Sequence, residues 1–274
     1  MQVLALVNQK GGCGKTTAAV NLAGALAQRG ERVLLVDLDP QAHATLALGW
    51  ARGETRELFD VLQSAAALEE ATYAAPGGIA LLPATLKLAE FEETAARTLH
   101  AETVLATTLD AARSSYDVVL LDCPPRVDGV LAANALGACD VAVLVVETGA
   151  FALQGAVQAR KLLDEVRADR RLTFGVRVLG TLFDRRTRFA REVLIALQAR
   201  FGQEMFETVL RSSVRLREVA ALGAPVQVVD PGCRAASDFS ALAAEVSALI
   251  RAHEKVAAGA PRLARSQTAG AQET

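Results

Sequence analysis

Short apolar runs alternate with amphipathic stretches along nearly the whole chain. Val3–Val7, Val33–Val36, Ile79–Leu82, Val118–Leu121, Val141–Val146, Val176–Thr181 and Val226–Val229 read as strands. Several are near-continuous rather than alternating, which suggests strands buried on both faces of a parallel sheet. Between them, Thr16–Arg29 has Val20, Leu22, Ala23 and Leu26 as apolar positions, with Gly30 just past its end to stop the helix. Gln154–Arg167 and Arg188–Arg200 have the same helical patterning. The alternation predicts an α/β fold, doubly wound, a mostly parallel sheet with helices on both faces, binding ligand at the carboxyl ends of its strands. No internal repeat and no linker divides the chain, so residues 1–252 are expected to form a single domain. From His253 the sequence turns to Ala, Gly, Gln, Ser, Thr and isolated charges, which predicts a disordered tail over residues 253–274.

Composition narrows the function class. The 274 residues are 51% hydrophobic, enough for a large core. No uncharged apolar run reaches the length of a membrane span, and a chain that begins in a strand is not expected to carry a signal peptide. Cys13, Cys123, Cys139 and Cys233 are far apart and form no C-x-x-C pair, as expected for free thiols in a cytoplasmic protein. His43, His100 and His253 are isolated from one another and from any cysteine, so they are assigned to structure or surface. Trp50, the only tryptophan, is expected to pack or to lie at an interface. The net charge is −2, yet residues 185–217 carry eight arginines against Glu192, Glu204 and Glu207. One basic face on a mildly acidic protein suits regulated binding to a phosphate backbone. The bland alternative is a solvated helix face with i,i+4 pairs such as Arg188 with Glu192.

The candidate chemistry starts directly after the first strand. Lys10-Gly11-Gly12-Cys13-Gly14-Lys15-Thr16-Thr17 joins that strand to the first helix. Glycines let backbone N–H groups turn onto phosphate oxygens, and the helix start adds its positive end. Lys15 is placed to neutralise the β- and γ-phosphates of a nucleotide, and the Thr16 hydroxyl to ligate Mg²⁺. Gln9 stands where the general phosphate-loop pattern has its first glycine. Asp37 and Asp39 follow the second strand; at i and i+2 in an extended segment they point to one side. One of them can direct a water and the other can hold the Mg²⁺ shell. Asp122 ends the strand Val118–Leu121, where a buried acid suits the same Mg²⁺ shell.

Lys10–Thr17 matches K-G-G-x-G-K-[ST]-T, and on these residues the chain resembles the ParA/MinD ATPases, with their deviant Walker A loop. Val36-Asp37-Leu38-Asp39-Pro40-Gln41 is similar to the family's second motif, and Leu120-Leu121-Asp122-Cys123-Pro124-Pro125 to its Walker B strand. Phe183–Thr187, Val214–Glu218, Pro83–Thr85 and Val229–Pro231 are similar to later segments of chromosomal, Soj-like ParA proteins, so the resemblance spans about Met1 to Ala252. It implies a P-loop NTPase fold with ATP and Mg²⁺ as cofactors, and nucleotide contacts from Lys10, Gly11, Gly12, Cys13, Gly14, Lys15, Thr16 and Thr17. It implies metal contacts from Thr16, Asp37 and Asp122. It assigns catalysis to Lys10, Lys15 and Asp39: Asp39 directs the water, and Lys10 reaches across a nucleotide-dependent homodimer to the other subunit's phosphates. Arg186 and Arg215 match family positions that contact DNA, with Arg188 and Arg217 beside them.

Two segments depart from the family pattern. Arg126-Val127-Asp128-Gly129 is about one residue longer, and Arg211-Ser212-Ser213 stands where Pro-Arg-Asn is usual. The implied function is an ATP-dependent DNA-partitioning ATPase, cytoplasmic and nucleoid-associated. It would bind double-stranded DNA non-specifically, be released by a ParB-like centromere-binding protein, and hydrolyse ATP slowly without that partner. A ParA-like cargo-positioning ATPase would share every motif. A MinD-like membrane switch is disfavoured, because residues 253–274 lack a basic amphipathic helix. No helix-turn-helix precedes Val3, so sequence-specific operator binding is not expected.

Overall fold

A computed structural model describes residues 1–50, 55–95 and 101–259. Seven strands form one sheet: β1 (Gln2–Val7), β2 (Val33–Asp37), β3 (Tyr73–Ala75), β4 (Ile79–Leu82), β5 (Val118–Asp122), β6 (Val141–Glu147) and β7 (Gly175–Thr181). Their order is β3-β4-β2-β5-β1-β6-β7, parallel throughout except for the β3–β4 pair. The six longer strands fall where the apolar runs predict them. Edge strand β3 was not anticipated: it is three residues long, carries two alanines and turns into β4 through Pro76-Gly77-Gly78.

Burial on both faces explains the unbroken apolar runs. Leu4 and Leu6 of β1 and Val33 and Leu35 of β2 face a core layer built with α1 (Lys15–Gln28) and α11 (Arg234–Gly259). Val3, Ala5, Val7, Leu34 and Val36 face the opposite layer. That layer is closed by α3 (Leu58–Leu62), α4 (Lys87–Thr94), α5 (Val104–Ala111), α6 (Val130–Ala138), α7 (Ala152–Asp169) and α8 (Arg188–Phe201). Fully burying each such side chain contributes about 1.5–3 kcal/mol, so alternation along a strand assigns residues to a layer rather than to water. The predicted helices start and stop within a residue or two of α1, α7 and α8, and Gly30 takes a positive φ of 87° after α1.

One expected strand is instead a helical turn. Val226–Val229 forms α10, packed against α1 beside α9 (Val214–Ala221). Pro225 sets the entry at φ −68°, the Val226 N–H donates to Asn21 Oδ1 at 2.7 Å, and the Asp230 N–H closes the turn on the Val226 carbonyl at 2.8 Å. Three valines around Gln227 cannot distinguish strand from helix by pattern; here the proline and a polar anchor on α1 decide it. Helix α11 continues past His253 to Gly259, while residues 260–274 of the expected tail lie outside the described residues.

The α9–α10 link sits tightly on the loop before Trp50. Gly223 has φ 71°, and a Cβ there would lie 2.9 Å from the Gly49 Cα. Gly223→Ala is therefore expected to lower stability by about 2 kcal/mol, from the left-handed backbone and the overlap together. An unchanged urea-unfolding midpoint would refute the contact. Trp50 packs at a tilt on Tyr73, ring centroids 5.8 Å apart.

Candidate functional site

The loop between β1 and α1 is tied to two strands and to itself. Asn8 Nδ2 donates to the Val145 carbonyl on β6 at 2.7 Å and the Lys10 N–H to Asn8 Oδ1 at 3.1 Å. Thr181 Oγ1, at the end of β7, donates to the Cys13 carbonyl at 2.6 Å. Gly12 and Gly14 take positive φ values of 76° and 91°, which turns the peptide planes between them inward. Gly14 is the N-cap of α1 and no side chain caps that helix. Its first-turn N–H groups and dipole thus remain available to an anion. Lys15 is buried, with Nζ 3.5 Å from the Lys10 carbonyl.

Three carboxylates meet at the carboxyl edge of the sheet. Asp37 and Asp122 are register partners at the ends of β2 and β5, and both are fully buried. Asp37 Oδ2 accepts from the Thr45 N–H and hydroxyl, each at 2.8 Å, and Oδ1 accepts from the Asp39 N–H at 3.1 Å. Burial still pushes Asp37 up to about 6. Both Asp122 oxygens are buried without a hydrogen-bond partner. Burial, then the neighbouring Asp37 charge, raises its pKa well above the carboxylate range, while Thr16 and Lys15 pull the other way. Two orphaned carboxylate oxygens beside the Thr16 hydroxyl suit the oxygen shell of a hard divalent cation. Among the described residues no cluster of three or more His, Cys, Asp or Glu could hold a metal by itself. A cation at Asp122 would thus share its shell with a ligand.

A cleft of about 670 Å³ opens over this edge. Gly11, Gly12, Gly14, Lys15, Thr16 and Thr17 line one end, joined by Asp39 and Pro125. Val20 and Asn21 of α1 with Leu216 and Val219 of α9 line an apolar end. The layout is that of a nucleotide cleft: anion-binding amides and a lysine at one end, a hydrophobic slot for a flat base at the other. The structure thereby brings together Lys15, Thr16, Thr17, Asp37, Asp39 and Asp122 from three separate segments. It also places His43, the first residue of α2 (His43–Ala47), at the cleft rim, more specific than a generic surface position. Cys13, Cys123 and Cys139 are buried and their thiols are pushed up by burial, consistent with packing roles.

Other expected site residues sit differently. Lys10 does not point at the cleft's phosphate end; its Nζ pairs with Glu147 at the end of β6, 2.8 Å away. Arg186, with 85% of its side chain exposed, forks onto Asp184 at 2.8 and 2.9 Å. Arg188 pairs with Glu192 at 2.7 Å, the i,i+4 arrangement that the sequence allows. Arg215 is held between Asp230 and Glu218, both at 2.9 Å. Arg217 is exposed on α9. The four arginines lie on an outer surface, as the DNA reading requires, but three of them are matched by acids of the same chain. Sequence reasoning missed Thr45, Glu147, Thr181 and Asn21 as site-building residues. Only Asn21 left a signal, as a polar residue on the otherwise apolar side of α1.

Comparison with known proteins agrees with this geometry. A family model described as an AAA domain matches residues 1–174. The chain is 35% identical over 263 residues to the chromosome partitioning protein ParA of Caulobacter vibrioides, covering 94% of this chain and 98% of that one. It is 40% identical over 256 residues to the chromosome-partitioning ATPase Soj of Thermus thermophilus, covering 90% and 96%. Among solved structures, cobyrinic acid a,c-diamide synthase from Mycobacterium smegmatis with bound ADP and magnesium superposes with a TM-score of 0.71 at 30% identity, covering 81% of this chain and 90% of that one. No helix among the described residues is long and apolar enough to cross a membrane. With its phosphate loop, its carboxylate edge and relatives matched along nearly their whole length, the chain belongs to the ParA/Soj family of P-loop ATPases.

Proposed function

We propose that this protein is a partitioning ATPase that binds Mg²⁺·ATP, pairs with a second copy of itself and then binds DNA without sequence preference. The observation that carries the nucleotide part is the uncapped start of α1 set beside the orphaned carboxylate of Asp122. The first supplies N–H groups for phosphates; the second lacks a partner that a nucleotide-bound Mg²⁺ supplies. Thr16 and Asp122 would hold that ion, directly or through water, with Asp37 fixing the β2 end beside them. The ion offsets phosphate charge when bound. Lys15 would take the β- and γ-phosphates, with Gly11, Gly12, Cys13, Gly14 and Thr17 supplying backbone or helix-start contacts. Asp39, which lines the cleft, would orient the attacking water. Lys10 would leave Glu147 to meet the phosphates of a second copy.

The DNA part rests on the arginine surface and on the naming of the relatives as chromosome-partitioning proteins. Arg186 and Arg215, with Arg188 and Arg217, would contact phosphates, which carry no base information. A ParB-like partner would accelerate hydrolysis and release the complex from the nucleoid.

The test is binding to a random-sequence duplex without nucleotide, with ADP and with Mg²⁺·ATP, at two salt concentrations. ATP-dependent binding is expected, weakening with salt by a logarithmic slope of about −0.9 per phosphate contacted. It should collapse in Arg186→Ala/Arg215→Ala. Equal affinity in all three nucleotide states, or none in any, would remove the partitioning reading and favour a protein-cargo positioner.

A further inference from the structure

Arg186 and Arg215, two of the arginines assigned to DNA, are already occupied. Arg186 donates two side-chain hydrogen bonds to Asp184, whose oxygen also accepts the Arg186 backbone N–H at 3.0 Å. This is the bidentate fork with which arginine grips a phosphate. The Arg186 fork holds Asp184 down to about 2, so that carboxylate stays ionised throughout the physiological range. Arg215 donates Nε to Asp230 and a terminal nitrogen to Glu218, so two negative charges face one positive one. In this state the surface offers DNA little net positive charge at these two positions. Such pairs lie at the surface, where water and salt weaken them, so they can be exchanged for a row of phosphates.

The Arg215–Asp230 pair also joins elements that meet the cleft differently. Arg215 and Glu218 ride on α9, whose Leu216 and Val219 line the apolar end of the cleft. Asp230 follows α10, which is fixed to α1 through Asn21. A base seated against Leu216 and Val219 bears directly on the helix that carries Arg215, while Asp230 stays with α1.

We propose that Asp184, Glu218 and Asp230 are in-chain stand-ins for DNA phosphates, which neutralise Arg186 and Arg215 in the nucleotide-free chain, and that a base in the cleft loosens the Asp230–Arg215 pair. This rests on the DNA-binding reading above and adds how that surface is switched. The idle state is neutralised without any lid or tail. The carboxylates compete for the same guanidinium atoms that a phosphate would take.

The experiment uses the full chain and a random-sequence duplex, with and without Mg²⁺·ATP. Four proteins are compared: the unaltered chain, Asp184→Asn/Asp230→Asn, Arg186→Ala/Arg215→Ala, and the charge-matched control Glu102→Gln/Asp110→Asn. The control acids pair with Arg170 and Arg113, and Asp110 lines an opening with Met1 and Asp140 at the amino end of the sheet, away from the arginines. Without nucleotide, the aspartate variant is expected to bind about tenfold tighter than the unaltered chain, and ATP is expected to add only about a further twofold. The control should shift by less than about twofold, as a distant screened charge does. Equal tightening in the control would reduce the effect to net charge and overturn the proposal. An unchanged aspartate variant, with binding lost in the arginine variant, would also overturn it while leaving the DNA surface intact. Binding that ignores the arginine variant, or is absent throughout, would remove the DNA reading and the proposal together.

Discussion

Asp39→Ala is expected to cut ATP turnover by about 10²–10⁴-fold, the range for losing a group that positions or deprotonates a reacting water, while nucleotide affinity stays within about threefold. The division follows from position. Asp39 lines the cleft, whereas Asp37 and Asp122 lie under it. Its backbone is pinned by the Asp37 carboxylate at 3.1 Å, and its own Oδ1 accepts the Gln41 N–H at 2.9 Å, so the side chain is aimed without being consumed by the loop. None of the phosphate-loop contacts runs through it. The alanine variant should therefore load ATP and stay in the loaded state, with DNA binding that persists instead of decaying. Single-turnover hydrolysis and nucleotide titration measure the two halves separately. Turnover within tenfold of the unaltered protein would take Asp39 out of the chemistry, and a parallel collapse of binding would make it a structural residue.

Asp122→Asn should do the opposite to stability and to activity. In the ligand-free protein this buried carboxylate has no donor for either oxygen. Relief of its charge is expected to raise the unfolding free energy by about 1–3 kcal/mol. With Mg²⁺ and a non-hydrolysable ATP analogue the order should reverse, because the unaltered protein gains a cation at that carboxylate and the variant does not. Hydrolysis should fall with the lost metal contact. The pH dependence has a definite sign. Asp37 titrates at about 6 in the folded chain against an ordinary value of 3.8, and burial raises Asp122 well above that ordinary value too. Below the ordinary value these groups are protonated whether folded or not, and cost nothing. As pH climbs, the unfolded chain ionises first, so ligand-free stability falls across the window from about 4 to about 6 for Asp37, and the raised Asp122 adds a fall of the same sign. Mg²⁺·nucleotide should flatten that fall. Thermal melts from pH 4 to 8 read all of this; a ligand-free Asp122→Asn protein less stable than its parent at pH 7 would refute the orphan-carboxylate account.

What the chain's order of residues determined is local and covalently contiguous. Six of the seven strands and the limits of α1, α7 and α8 follow from runs of Val, Leu and Ala, because a strand buried on both faces tolerates nothing else. The phosphate loop was legible because its function needs adjacent residues: glycines that can turn the backbone, a lysine, a hydroxyl and then a helix. The second and third carboxylate segments were legible through their resemblance to family motifs and their place at strand ends, where a parallel sheet gathers its loops. Val226–Val229 offered no such handle: a proline before the run and the side chain of Asn21, 205 residues away, turned three valines around Gln227 into α10. β3 escaped for a related reason: an edge strand of three residues is defined by the partner it pairs with, not by its own pattern.

Tertiary structure decided which distant groups meet. Lys10 and Glu147 are 137 positions apart, Thr181 and Cys13 are 168 apart, and the Asp37–Asp122 register exists only once β2 lies beside β5. The basic segment at 185–217 illustrates the limit. Counting its arginines found an exposed surface, but a count along the chain cannot show that Asp230 reaches Arg215 from beyond α10 or that Asp184 turns back onto Arg186. Hydrophobic patterning fixes the fold because burial is a property of each residue. Electrostatic pairing is a property of two residues, and pairs such as Lys10–Glu147 and Arg215–Asp230 form only when separate segments are brought within a few ångströms in three dimensions.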